Sequence, residues 1–538
     1  MDSQVRLRSV SARTLQQGQA AIILLLLVGL GVIALVYGMA TPAKESIERD
    51  KRTAASLAQA KEALLGFAAG IDLSAGAPRV GDLPCPDRDN DGSADTPCNL
   101  IEFAGVAIGR LPWQRLGLPD LRDGDGERLW YAVSSNFRNN PRTTCNPPAQ
   151  TAGCLNSDSR GTINLRDRAG TVINNGNDAW GSFNPTAVIA VIIAPGAVLQ
   201  RQGAAAPQDR SCTGDANVAA CQTTQVCSGP TFTATALCNP VNYLDVFTGA
   251  FGTEDNANFA ETGNLTNGFV GNAGNGFIMG DILDAGGNPI VNDRILTITY
   301  ADLMPLLERR VVREAFNCVS AYAAASNGRY PWAADIADSA AGDYSSKQDV
   351  RFGRMPDSFS QTLVGTGSLL DMVLVGVVNL VCTVLPSVPG CMSNSWPLPA
   401  ASPPCYIPTG GGAWWLNWKE QVFYGVAEAY QPRATVQILP PGVTVPAPGG
   451  CGNCLEVNPP SGASNKRFTV TVAGKRLENP LEVGGGFGPA QELRNTTARK
   501  SNPLNYLEHE NGNNNATSVI YSQQPTTVNF NDLLLFRQ

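Results

Sequence analysis

Five short segments occur twice in this 538-residue chain, in the same order. Lys61-Glu62-Ala63 is answered by Arg313-Glu314-Ala315, Gly109-Arg110-Leu111-Pro112 by Gly353-Arg354-Met355-Pro356, and Trp130-Tyr131-Ala132-Val133 by Phe423-Tyr424-Gly425-Val426. NPVNYLD from Asn239 then matches NPLNYLE from Asn502, and Asn292-Asp293-Arg294-Ile295-Leu296 matches Asn531-Asp532-Leu533-Leu534-Leu535. One such match is cheap. Five collinear ones indicate a diverged tandem duplication, which obliges both halves to share one fold.

Each copy reads as a helix, a Pro/Cys-rich loop, an aromatic strand, an Asn/Gly-rich excursion and a closing strand, an α+β pattern. The strand candidates are RLWYAVS, TAVIAVIIA and RILTITY in the first copy and QVFYGVA, ATVQILP and RFTVTVAG in the second. The spacing predicts a boundary near Asp302, with heads over 43–302 and 303–538. A further apolar run, Met372 to Val388, is broken by Asn379, Pro386 and Ser387, and reads as a buried helix or inserted hairpin.

Ahead of the repeats, Ala20 to Ala40 gives 21 residues without a charge, enough at about 1.5 Å per residue to cross a ~30 Å hydrocarbon core. Arg6, Arg8 and Arg13 precede it and mixed charges follow, so residues 1–18 are expected in the cytoplasm and the body outside. From Ser46 to Ala69 the chain holds neither Gly nor Pro apart from Gly66, and Ile47, Ala54, Leu57, Leu64 and Ala68 form a helical stripe. The membrane helix is thus expected to continue into an amphipathic one.

A basic leader of residues 1–18 ending in Gln17-Gly18, an apolar helix over 19–42, Pro42 near its end and an amphipathic extension resemble the type IV pilin and pseudopilin family. The resemblance implies cleavage between Gly18 and Gln19, inner-membrane anchoring, and packing against other pilin or pseudopilin subunits through the apolar helix. It also implies heads built as a helix on an antiparallel sheet. The major-pilin glutamate at the fifth mature position is replaced by Ile23, a departure that the family tolerates in minor, tip-type subunits.

Composition narrows the chemistry. A net charge of -7 with scattered Lys and Arg leaves no electrostatic footprint for nucleic acid. The single histidine, His509, argues against histidine-rich metal sites and the usual histidine-based triads. Fourteen cysteines, all after residue 80, point to an oxidising compartment. Local disulfides Cys85–Cys98, Cys145–Cys154, Cys382–Cys391 and Cys451–Cys454 are expected, while Cys212, Cys221, Cys227 and Cys238 allow three connectivities.

One segment carries ligand chemistry. In PDRDNDGSADTP, Asp87, Asp89, Asp91, Ser93 and Asp95 stand at positions 1, 3, 5, 7 and 9 of a calcium loop, with Gly92 at position 6. Calcium takes six to eight hard oxygen ligands, which alternate carboxylates around a glycine turn supply. Position 12 is Cys98, not the EF-hand glutamate, so the loop resembles cysteine-flanked thrombospondin type 3 loops; an Asp/Gly turn is the plainer alternative. Asp120, Asp123, Asp125 and Glu127 form a second acidic cluster, readable as another site or as a hairpin turn. The second head keeps Asp335, Asp338 and Asp343 at unsuitable spacing.

These features point to a non-enzymatic, calcium-stabilised minor pilin-like subunit of a type IV pilus or type II secretion system, placed at a fibre tip. The alternative is a membrane-tethered periplasmic binding or adhesive protein outside any fibre. A hydrolase using Asp123 and Glu127 finds no supporting nucleophile elbow or phosphate loop.

Overall fold

The computed structural model describes residues 44–73, 79–95, 108–134, 137, 155–159, 161, 163–174, 188–228, 234–259, 261–262, 271–272, 276–326, 328–359, 407, 413–432, 454–459, 461–462, 464–514, 520–527 and 529–538. The leader with Gly18 and Gln19, the apolar stretch 19–42, the run 372–388 and the strand candidate ATVQILP lie outside the described residues. No helix among the described residues is long and apolar enough to cross a membrane.

The chain is mixed α+β, with several small sheets and few helices. Residues 44–69 form α1. A four-stranded antiparallel sheet follows, built from β1 (Ile108–Arg110), β2 (Trp130–Val133), β3 (Val188–Ala194) and β4 (Arg294–Thr299) in that spatial order. Then α2 (Tyr300–Ala325) leads to β5 (Phe352–Arg354), β6 (Val422–Val426), β7 (Phe468–Val472) and β8 (Leu533–Arg537), again in that order and antiparallel throughout. The α2 helix starts at a capping box, with Thr299 and Asp302 satisfying each other's first-turn groups, so residue 302 lies inside its first turn.

The repeated segments occupy equivalent places in the two sheets. Gly109 faces Tyr131 and Arg110 faces Trp130; Gly353 faces Tyr424 and Arg354 faces Phe423. Each Gly-Arg strand is flanked by a backbone bridge on its outer side, from Asp87 in the first sheet and Ala334 in the second. A Cβ on Gly109 would lie 2.5 Å from the Asp87 carbonyl, and one on Gly353 only 2.0 Å from that of Ala334, so close chain approach dictates glycine at both.

A second correspondence has no counterpart among the sequence anchors. Leu165–Arg166 pairs in parallel with Phe277–Ile278 and antiparallel with Val172–Asn174. Leu455–Asn458 likewise pairs in parallel with Ile520–Ser522 and antiparallel with Ser464–Lys466. Asn256 bonds both backbone groups of Ile278 through its amide, and Asn511 does the same at Ser522.

One hydrophobic core runs through both halves, joining Leu57, Leu64 and Ala68 of α1, Tyr131 and Ile192 of the first sheet, Leu307 and Val311 of α2, and Phe423 and Val470 of the second sheet. The opposite face of the first sheet is buried as well, with Trp130, Val191 and Ile193 packed on Tyr243 and Phe259. Coverage of both faces is why VIAVIIA reads as a continuous apolar run with no polar alternation.

The buried face of α1 differs from the sequence stripe. Leu57, Leu64 and Ala68 are buried with Ala60 and Leu65, but Ile47 and Ala54 are exposed, and Thr53 and Ser56 turn inward instead. The reason is a polar dock: Ser56 Oγ donates to the Arg122 carbonyl at 2.7 Å and Thr53 Oγ1 accepts from Gly124 N at 2.9 Å. The Arg49–Asp125 and Arg294–Asp50 ion pairs extend that contact, and Lys61–Asp302 ties α1 to α2.

Candidate functional site

The loop after β-bridge residue Asp87 leaves the edge of the first sheet and turns back on itself, with Asn90 (φ 69°) and Gly92 (φ 90°) in the left-handed region. Trp113 covers Gly92 so tightly that a Cβ there would meet its indole at 2.7 Å. Asp87 is buried and accepts backbone N–H bonds from Asn90 at 2.7 Å and Gly92 at 2.8 Å; Asp95 accepts from Arg88 at 2.7 Å.

This turn brings Asp87, Asp89 and Asp95 together, with one oxygen from each lying within 4.8 Å of the others. It leaves out the other two expected positions. Asp91 is exposed and caps the Ser93 N–H at 2.6 Å, and Ser93 is exposed too. Burial, added to the negative charge of Asp89, pushes Asp87 up to about 8 and Asp95 up to about 6; burial and Asp91 raise Asp89. In addition the Asn90 side-chain oxygen is buried in the same turn without a hydrogen-bond donor. Crowded, proton-hungry carboxylates beside an orphan acceptor are a hard-oxygen donor set suited to a divalent cation.

The second acidic cluster is dispersed. Asp123 is buried and accepts from Asp125 N, Glu127 N and Gly196 N, each at 2.9 Å, as the root of a hairpin turn. Asp120 pairs with Arg122 and Arg128, Asp125 with Arg49, and Glu127 with Arg210 at 3.0 Å. Every one of these four carboxylates is already committed, and they do not converge on a ligand position among the described residues.

A larger network, unrecognised in the sequence, explains why the repeated motifs recur. In the first head the Arg110 guanidinium lies over the rings of Trp130 (4.1 Å) and Tyr243 (3.9 Å), with Arg210 on Tyr243 at 4.7 Å. In the second, Arg354 lies over Phe423 (4.7 Å) and Tyr506 (4.4 Å), with Arg494 on Tyr506 at 4.3 Å. Arg210 Nε donates to the Asn242 carbonyl and Arg494 Nε to that of Asn505; Arg210 Nη1 reaches Gly196 O and Arg494 Nη1 reaches Gly474 O.

Beneath each stack sits a buried acid pair. Asp293 accepts from Asp245 N and Asp245 from Asn292 N; Asp532 accepts from Glu508 N and Glu508 from Asn531 N. Gln208 and Gln491 bond Asp245 and Glu508 in turn. Burial pushes Asp245 up to about 6 and Glu508 up to about 7, and lifts Asp293 and Asp532 well above the ordinary range, with the partner carboxylate adding to each of the latter two. Arg210 and Arg494 escaped sequence matching because Gln208-Asp209-Arg210 is one residue shorter than Gln491-Glu492-Leu493-Arg494.

No family model matches this chain, and no curated protein or solved structure does either.

The cysteines at the top of the first head are paired as Cys212–Cys221 and Cys227–Cys238, one of the three arrangements open in the sequence. Cys85, Cys318 and Cys454 are disulfide-bonded. Cys98, Cys145, Cys154, Cys382, Cys391 and Cys451 lie outside the described residues.

His509, the sole histidine, has its Nδ1 2.8 Å from Ser522 Oγ, and Glu510 engages both. Ser522 is buried, and Glu510 and Ser522 meet the same ring nitrogen, whereas a nucleophilic triad uses both nitrogens of the ring. The His509 backbone N–H donates to the Leu481 carbonyl at 2.7 Å, and Asn511, two residues on, holds the Ser522 strand.

Proposed function

We propose that this chain is a non-enzymatic, inner-membrane-anchored pilin-like protein, a minor tip subunit of a type IV pilus or type II secretion pseudopilus. The observation that carries this reading is the way α1, which follows directly on the apolar segment, lays Leu57, Leu64 and Ala68 into the core beside a four-stranded antiparallel sheet. A helix emerging from a membrane span and packed on such a sheet is the construction that the N-terminal resemblance implies. The apolar segments of neighbouring subunits are then the fibre core and the heads its exposed body. Two heads fused through one core form a bulk too large for a repeating fibre lattice and suited to an end position.

In this reading Asp87, Asp89 and Asp95 hold calcium, with the Asn90 side-chain oxygen as a further donor. The ion neutralises like charges where the loop meets the sheet edge, a stabilising role and not a catalytic one.

N-terminal sequencing of the membrane-extracted protein tests the reading. A chain beginning at Gln19 and co-purifying with sheared fibres or with other pilin-like subunits is the expected result. A start at Met1 or Thr41 removes it, and a correctly processed chain that never associates with such subunits leaves the tethered binding protein instead.

A further inference from the structure

We infer that the acidic loop and the disulfide-stapled lobe 211–238 form one cation-controlled unit, in which a divalent cation at Asp87, Asp89 and Asp95 keeps the lobe docked. This rests on the calcium reading above. The docking contacts come from the same turn as the carboxylates. The Asp89 carbonyl accepts from Cys227 N at 2.8 Å, and Asn90 Nδ2 donates to the Gln225 carbonyl at 2.7 Å.

Among the described residues of the lobe, 211–228 and 234–238, little else holds the outer part: the buried apolar cluster is the four disulfide-bonded cysteines and Leu237, and the helix Val218–Thr224 buries only Cys221. Its far end is tied separately, through Arg110 Nη2 to the Leu237 carbonyl at 3.3 Å. Without a cation, three crowded carboxylates favour opening of the turn, and opening removes both docking bonds together.

The second head supplies an internal control. There the bridge residue is Ala334 in place of Asp87, no such carboxylate group forms among the described residues, and the lobe is missing as well. Residues 211–238 lie between Arg210 and Asn239, whereas only 495–501 separate Arg494 from Asn502. The short helices Ile336–Ala340 and Thr497–Lys500 pack on each other in their place. Loop acids and lobe are present together in one head and absent together in the other.

Hydrogen–deuterium exchange of the full-length protein in detergent micelles, read by mass spectrometry with calcium or with chelator, tests the coupling. Terbium luminescence or calorimetry on the same sample measures cation binding. Calcium is expected to slow exchange across 211–228 by about tenfold or more, while leaving Leu237 and Cys238 little changed. The Asn90→Asp variant keeps all three carboxylates and a side-chain oxygen at residue 90 but loses the amide donor to the Gln225 carbonyl, and it is expected to bind calcium yet lose most of that protection. Calcium binding with unaltered exchange in the lobe overturns the coupling and leaves the site intact. Full protection in the Asn90→Asp variant overturns the route through the turn, and absence of cation binding by the parent protein overturns site and coupling alike.

Discussion

Arg110 and Arg354 stand at the same register position of two different sheets, Arg110 opposite Trp130 and Arg354 opposite Phe423, and each covers a second ring from an NYL segment. Both guanidiniums are buried and donate to backbone carbonyls, Arg110 to Arg128 O and Leu237 O, Arg354 to Glu420 O and Lys500 O. A buried cation is tolerated here because ring faces and carbonyl dipoles replace its hydration.

Replacing either arginine with methionine keeps the packing volume but orphans two buried carbonyls, and each orphan costs about 1–3 kcal/mol. Arg110→Met and Arg354→Met are therefore expected to lower stability by about 3 kcal/mol each, read by denaturant unfolding of the detergent-extracted protein. Lysine at either position should recover only part of the loss, since one ammonium does not span both carbonyls while facing two rings. A methionine variant as stable as the parent would refute the role assigned to the stack.

Glycine substitutions separate backbone approach from helix propensity. Gly353→Ala places a Cβ 2.0 Å from the Ala334 carbonyl, so it should destabilise by about 2–3 kcal/mol or more, with Gly109→Ala following at 2.5 Å from Asp87. Gly66, inside α1 with open space around it, should behave oppositely, and Gly66→Ala should stabilise by about 0.5–1 kcal/mol. Thermal melts of the three variants decide the matter, and equal shifts at all three positions would contradict it.

The acid pairs make stability depend on pH. Glu508 near 7 and Asp245 near 6 lie above their unfolded values, so the fold favours their protonated forms. That contribution is complete below about pH 4 and is lost as pH rises through 6 to 7. Melting temperature should accordingly fall across this window, and the Asp245→Asn/Glu508→Gln double variant should show a flatter profile. An unchanged slope in the double variant would assign the effect to other groups.

Removal of calcium should mimic that loss at the loop. Asp87 near 8 and Asp95 near 6 compete for protons, so the ion is bound best where they are ionised. A hundredfold excess over the dissociation constant should stabilise the protein by roughly 2.7 kcal/mol at alkaline pH, with a smaller gain near pH 5. Asp87→Asn/Asp89→Asn should abolish the calcium-induced melting shift, whereas Asp123→Asn should lower stability at all calcium levels without changing the shift.

Local patterns were readable in the chain itself. Short apolar runs placed Trp130–Val133 and Val188–Ala194 as strands, alternation placed Phe468–Val472, and the stretch from Ser46 to Ala69, interrupted only by Gly66, placed α1, because all follow from side-chain pattern along one segment. The ordered repeats located the strand pairs, and the alternating aspartates located the loop. Only tertiary structure decided which of those aspartates converge, since Asn90 and Gly92 turn Asp91 outward while Asp95 folds back. Only tertiary structure could place Arg210 and Arg494, which precede the rings they cover, Tyr243 and Tyr506, by 33 and 12 residues. It likewise committed Asp123, Asp125 and Glu127 to backbone amides and cations, because their partners Gly196, Arg49 and Arg210 come from distant parts of the chain. Spacing along a segment is a local property that sequence carries directly, whereas the neutralisation of a buried charge depends on which distant groups the completed fold brings beside it.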